Sequence, residues 1–193
     1  MTYHDSVLLK QSVDGLDIRP NGVYVDVTFG GGGHSKEILN KLNQGKLFAF
    51  DQDEDALQNT LNDTRFTLIN ANFKYLKNFL RYYKIDAVDG IIADLGISSY
   101  QIDNPERGFS TRYNSELDLR MDRRNQLSAQ KILSEYNEEA LSKVFYEYGE
   151  IKQSRRIAQT IVSAREKNQI ITVEDLKNVT APFAERGKEN KFY

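Results

Sequence analysis

A run of four glycines, Gly30-Gly31-Gly32-Gly33, separates a β-branched and aromatic stretch (Val23, Tyr24, Val25, Val27) from a helical pattern (Ile38, Leu39, Leu42). This order constrains the chain more than any other feature. It reads as a strand that stops at a glycine-rich turn and hands over to a helix. Residues without a Cβ permit positive φ angles and let a ligand approach bare backbone. A helix starting near Ser35 points its free N–H groups at whatever lies over the turn.

The segments that follow repeat the theme. Lys46 to Asp51 is apolar through its middle, as a strand buried on both faces is. Asp53 can cap a helix running to about Leu61, and Phe66 to Asn70 reads as a third strand. Phe73, Leu76, Leu80 and Tyr83 stand at helical spacing, and Val88 to Asp94 reads as a fourth strand. The stretch from Phe73 to Tyr83 is both aromatic and basic, which has an RNA-binding reading, but a helix packed on the sheet accounts for its spacing. Strand and helix alternate, which predicts a parallel α/β sheet. Residues 1–20 form a lead-in in which Val7, Leu8 and Leu9 are expected to pack, with His4 as a surface or packing residue. Residues 95–124 are loop-like. From Ser128 to about Phe183 the pattern is helical, and Thr172 with Asp175 three residues on marks a helix start.

Composition narrows the function. Among 193 residues there is no cysteine, which excludes disulfides, thiolate metal sites and cysteine nucleophiles. The net charge of −2 excludes a globally basic nucleic-acid footprint, so any such contact must use a local patch. The N-terminus lacks the pattern of a signal peptide and no run is long enough to span a bilayer, so a cytoplasmic location is expected.

Three ligands compete for the glycine turn. A phosphate loop ends in Gly-Lys-Ser/Thr, whereas here the glycines run into His34-Ser35. A dinucleotide fingerprint starting at Gly30 and Gly32 finds Ser35 where its third glycine belongs, a partial match. S-adenosylmethionine carries no pyrophosphate and asks only that the helix N-terminus meet its carboxylate. Asp51, about 20 residues beyond the glycines at a strand end, suits the ribose hydroxyls. Asp26 either meets the ligand's ammonium or holds the turn by hydrogen bonds. Asp51-Asp53-Asp55 does not make a calcium loop, because Ala56 stands where the turn glycine belongs and Asn62 where the closing glutamate belongs. No metal is expected. Asp94 ends the strand expected beside the first, where a second substrate would meet the cofactor.

These residues carry a resemblance. HDSVLL, DVTFGGGGHS, the FDQD strand end, DLGISS-Y-Q, ERGFS, LDLRMD, and YGE followed by IAQTIV occur in the order seen in the bacterial 16S ribosomal RNA cytosine-N4 methyltransferases. The resemblance runs from His4 to Tyr193. It implies a class I methyltransferase (Rossmann-like) α/β fold with an inserted helical domain. It implies S-adenosyl-L-methionine as cofactor and methylation of a cytosine exocyclic amine in small-subunit rRNA. The family's cofactor residues fall on Gly32, Gly33, His34, Asp51, Phe73, Asp94 and Gln101, with His34 contributing mainly backbone and Phe73 lying against the adenine. Asp94, the candidate catalytic residue, or the carbonyls of residues 95–98 are also placed to accept the amine N–H.

The same resemblance divides the chain into an α/β domain over 1–124, a helical RNA-binding insert over 125–187, and a return to the α/β domain over 188–193. Between Lys152 and Lys191 nine Lys/Arg face five acids, and Arg107, Arg120, Arg123 and Arg124 add charge on the loop. Tyr100, Phe109 and Tyr113 are candidates to stack on an extruded base. Three departures stand out. Tyr100 replaces the family's usual proline. Ser115-Glu116 replaces Gly-Pro. The chain stops at Lys191-Phe192-Tyr193, ahead of the family's remaining strands. The expectation is an incomplete sheet whose fourth strand is an edge open to pairing with a second copy. A cofactor- or RNA-binding fragment without turnover is the alternative reading.

Overall fold

The structure is a computed structural model describing residues 6–184. His4 and the basic residues Arg186, Lys188 and Lys191 lie outside the described residues, as does the return segment expected over 188–193.

Four strands form one parallel sheet in the order β3-β2-β1-β4, with β1 at Val23–Asp26, β2 at Lys46–Asp51, β3 at Phe66–Asn70 and β4 at Gly90–Ile92. The register sets Val25 beside Phe48 and Ile91, and Asp51 beside Asn70. Successive strand residues point to opposite faces. Tyr24, Leu47 and Ile92 therefore pack on one face with Ile38, Leu39 and Leu42, which follow the glycine turn. Val25, Phe48, Phe50 and Ile69 pack on the other face with Leu76, Phe79 and Leu80.

Helix α1 spans Leu9–Gly15 and α2 spans Gly33–Lys41. The lead-in segment thus carries a helix that its sequence does not advertise. Leu9 packs on the core, whereas Val7 and Leu8 stay exposed, contrary to the expectation that all three pack. The helix after Asp53 is a 3-10 helix, Glu54–Asn59, capped as expected by the Asp53 side chain accepting from Asp55 N–H. A 3-10 turn at Phe73–Tyr75 leads into α3, Leu76–Tyr82. β4 is shorter than the apolar run implies. Past Ile92 the chain leaves the ladder, and the Asp94 N–H donates to Thr28 Oγ1 instead.

The chain divides into two compact units. The first holds the sheet and takes in residues up to 99 together with 121–123. The second takes in 100–120 and the residues from 124 on. Its helices are α4 (Ser99–Asp103, which begins at the division), α5 (Ala129–Glu135), α6 (Glu138–Glu147), α7 (Ser154–Arg165) and α8 (Val173–Thr180). Leu133, Leu141, Ile157, Ile161 and Ile170 form its core. The loop 100–120, which the sequence reading attaches to the sheet, groups with these helices for a visible reason. Leu117 is in the helical core, its N–H donates to Ile171 O (2.9 Å), and Val173 N–H donates to Ser115 O (2.9 Å). The Thr172 capping box with Asp175 forms as read.

Candidate functional site

The glycine turn is built from both sides by carboxylates. Asp26 ends β1 with 1% of its surface exposed, and accepts from Thr28 N–H (3.0 Å) and from Ser35 Oγ (2.8 Å). It therefore ties the strand end to the first turn of α2. Burial pushes its carboxyl up from the ordinary value, and the bonds from Ser35 and Thr28 pull the other way without cancelling the shift. Of its two sequence readings, the turn-holding one matches these contacts. Phe29 N–H donates to Phe50 O, and Gly32 N–H closes on Phe29 O at 2.7 Å. Gly32 caps α2 at φ 77°, and a Cβ there would stand 2.9 Å from the Phe29 ring. Glycine is demanded here by backbone and by packing at once.

Asp51, at the end of β2, approaches from the other side. Its Oδ2 accepts from Gly30 N–H (2.7 Å) and its Oδ1 from Asp53 N–H (2.9 Å). It is only partly buried. Desolvation raises its carboxyl, opposed by the Asp53 and Gly30 N–H groups. Asn59 Nδ2 donates to Gly30 O (2.9 Å) and Asn70 Nδ2 donates to Asp51 O (3.0 Å). The ends of β2 and β3 are thus knitted together, with Asn72 Nδ2 donating to Gln52 Oε1 (2.7 Å). Phe73 follows at once with 43% of its surface exposed, a flat apolar face at the strand ends.

Asp94 lies beyond β4, held by its N–H on Thr28 while its side chain is exposed. Leu95 and Ile97 after it are exposed apolar residues. Six of the seven sequence-predicted residues (Gly32, Gly33, His34, Asp51, Phe73, Asp94) therefore belong to the strand ends of the sheet unit and the turns and helix starts that follow them. Gln101 groups with the helical unit, where it is 4% exposed on α4. His34 is 6% exposed, and its Nε2 is buried without a hydrogen-bond partner among the described residues. Its side chain is thus an interior group as well as a length of backbone.

Sequence reasoning passed over Thr28, Asn59 and the pair Gln52–Asn72. Thr28 sits inside the turn motif and was open to discovery there. Asn59 gives no local signal, since its bond to residue 30 depends on the tertiary fold. In the helical unit, Arg107 is fully buried, with Nη2 donating to Arg120 O (2.9 Å), so it is not one of the loop's solvent-facing charges as expected. Gly108 beside it has φ 70°, and a Cβ would strike Glu116 O at 2.4 Å. Arg120 spans Asp118 through two nitrogens (2.7 and 2.8 Å). Tyr113 is exposed beneath the Arg112 guanidinium, and Phe109 is half-buried.

Residues 1–192 match the MraW methylase family. A protein of Christiangramia forsetii named ribosomal RNA small subunit methyltransferase H is 57% identical over 192 residues, which is 99% of this chain and 64% of that protein. Its namesake in Flavobacterium johnsoniae is 58% identical over 192 residues, again 99% of this chain and 64% of the relative. One in Bacteroides thetaiotaomicron is 52% identical over 192 residues. The chain thus spans a little under two thirds of the length of these relatives. With a match running almost from end to end of the sequence, the chain belongs to the MraW methylase family.

Proposed function

We propose that the chain binds S-adenosylmethionine at the carboxyl ends of β1, β2 and β4 and methylates the exocyclic N4 amine of a cytosine in small-subunit rRNA. The observation that carries the cofactor reading is Asp51. Its two oxygens each hold one backbone N–H, which leaves further lone pairs on a partly exposed carboxylate for a donor diol such as a ribose. The exposed Phe73 face beside it suits a flat base. The names of the relatives support rRNA as the substrate.

In this reading Gly32, Gly33 and His34 present backbone to the amino-acid end, Asp51 holds the ribose and Phe73 meets the adenine. Gln101 completes the set inferred from the family. When bound, the cofactor supplies an electrophilic methyl group. A cytosine amine is a weak nucleophile because its lone pair is delocalised into the ring. An acceptor on its N–H favours the pyramidal form and receives the proton that methylation releases. Asp94, exposed and pinned through its own N–H to Thr28, is that acceptor. The remaining task of the protein is positioning. Transfer of labelled methyl from S-adenosylmethionine to small ribosomal subunits tests the function. Asp94→Asn is expected to lower turnover by about 100-fold at saturating cofactor. Unchanged turnover in that variant removes Asp94 from the chemistry.

A further inference from the structure

The helix α3 presents two different faces. Leu76, Phe79 and Leu80 pack on the sheet. Lys77 and Arg81 are exposed and, four residues apart, form a short stripe on one side of the helix, with the exposed Lys74 in the 3-10 turn before it and the exposed Lys84 in the turn after it. From Phe73 to Ile85 there are four cations and no acid, in a chain whose net charge is −2. Asp86 is the first carboxylate after them.

Among the described residues, cations elsewhere are mostly spent on the protein itself. Arg65 holds Asp63, Arg120 holds Asp118, Arg112 holds Asp103 and Arg155 holds Glu138. None of these four cations has a carboxylate within ion-pairing distance among the described residues, and Lys74 instead lies 4.9 Å above the Tyr75 ring. Tyr75, in the turn before the helix, and Tyr82, its last residue, are exposed at 46% and 78%. The 3-10 turn that opens at Phe73, at the carboxyl edge of the sheet, leads into α3, which runs back along the sheet, so the cationic stretch begins at the rim of the candidate site and the helix carries it roughly 10 Å further.

We infer that the outer face of α3 and the turns at its two ends form a docking surface for the phosphate backbone of the RNA substrate, with Lys77 and Arg81 on the helix and Lys74 and Lys84 beside it tracking the strand that leads to the site, and Tyr75 and Tyr82 offering ring faces to unstacked bases. Charge complementarity selects a polyanion, and continuity with Phe73 selects the polyanion whose base is delivered there. The inference rests on the proposed rRNA reading.

The test compares the chain with a Lys77→Gln/Arg81→Gln variant and with a control, Lys10→Gln/Lys46→Gln, which removes two exposed charges from α1 and the start of β2. Binding to naked 16S rRNA is measured across salt concentrations, binding to vesicles of anionic lipid in parallel, and S-adenosylmethionine affinity by calorimetry as the check on folding. The stripe variant is expected to bind RNA about tenfold or more weakly, with a log–log salt slope shallower by about 1.4, while the control stays near the unaltered chain. Retained affinity and slope in the stripe variant overturn the inference, as does an equal loss in the control. A stripe-dependent gain of vesicle binding without RNA binding reassigns the face to membrane and overturns it too. If the unaltered chain methylates small subunits while the stripe variant binds RNA normally, only this inference falls. If the unaltered chain neither binds nor methylates RNA, the rRNA reading falls and takes the inference with it.

Discussion

The floor and the rim of the glycine turn are held by the same kind of bond in opposite surroundings. On the floor, Asp26 accepts from Thr28 and Ser35 and is sealed from solvent. On the rim, Asp51 accepts from Gly30 and Asp53 and remains open on one side. Both carboxyls are raised by desolvation. The difference teaches which carboxylate has capacity left for a ligand. Asp26 is committed to the fold, so its loss is read as stability. Under the proposed function, Asp51 divides its lone pairs between the turn and a guest, so its loss is read as affinity.

Substitution separates the two. The largest expected effect is from Asp26→Ala, which leaves the buried Ser35 hydroxyl and the partly buried Thr28 N–H without their acceptor and should cost about 3 kcal/mol in urea unfolding. A loss under about 1 kcal/mol would show that water or a neighbour replaces the carboxylate readily. Next is Asp51→Ala, expected to weaken S-adenosylmethionine binding by about 50- to 100-fold in calorimetry, from two charge-assisted hydrogen bonds. Its unfolding midpoint should move much less than that of Asp26→Ala, and the reverse pattern would invert the assignment of floor and rim. Ser35→Ala removes one donor from Asp26 and should cost about 1–2 kcal/mol, leaving cofactor affinity nearly intact.

The smallest effect concerns pH. The folded carboxyl of Asp26 is raised above the unfolded value of 3.8. The folded state therefore keeps the proton to higher pH than the unfolded chain does. Stability from this group is full below 3.8 and declines as pH rises through the raised folded value. Asp26→Asn removes that decline, so the stability difference between the unaltered chain and the variant should shift in the variant's favour as pH climbs through this window. A difference that stays flat would mean that Asp26 titrates as it does in the unfolded chain. Asp63 slopes the opposite way. Its bonds from Arg65 hold it at about 2, so its contribution is present above 3.8 and fades as pH falls toward 2.

How much of this was legible depended on where the determining contacts lie. The apolar run at Lys46–Asp51 carries its strand bounds in local pattern alone, because a strand buried on both faces needs continuous apolar residues, and the bounds of the partly buried strand Phe66–Asn70 were legible too. β4 was overread, since Ala93 and Asp94 continue the apolar-to-acid pattern while Thr28 diverts the backbone. The glycine turn and Asp51 announced themselves through spacing. The bond from Ser35 to Asp26, nine residues apart, was open to the same reasoning only once the strand-turn-helix was granted. The allegiance of residues 100–120 was not legible. It is decided by backbone bonds to Ile171 and by Leu117 entering a distant core, and no local pattern reports a partner some 50 residues away.

The ring of Phe29 under Gly32 has a kinetic consequence. The turn is shaped by the protein's own side chain and by the Gly30–Asp51 bond. Under the proposed function, arrival of the cofactor's amino-acid end then demands no slow loop search. Stopped-flow traces of binding to the turn should show one phase whose rate rises in proportion to cofactor concentration, and a bulkier residue at position 32 should abolish folding of the turn before it touches the association rate.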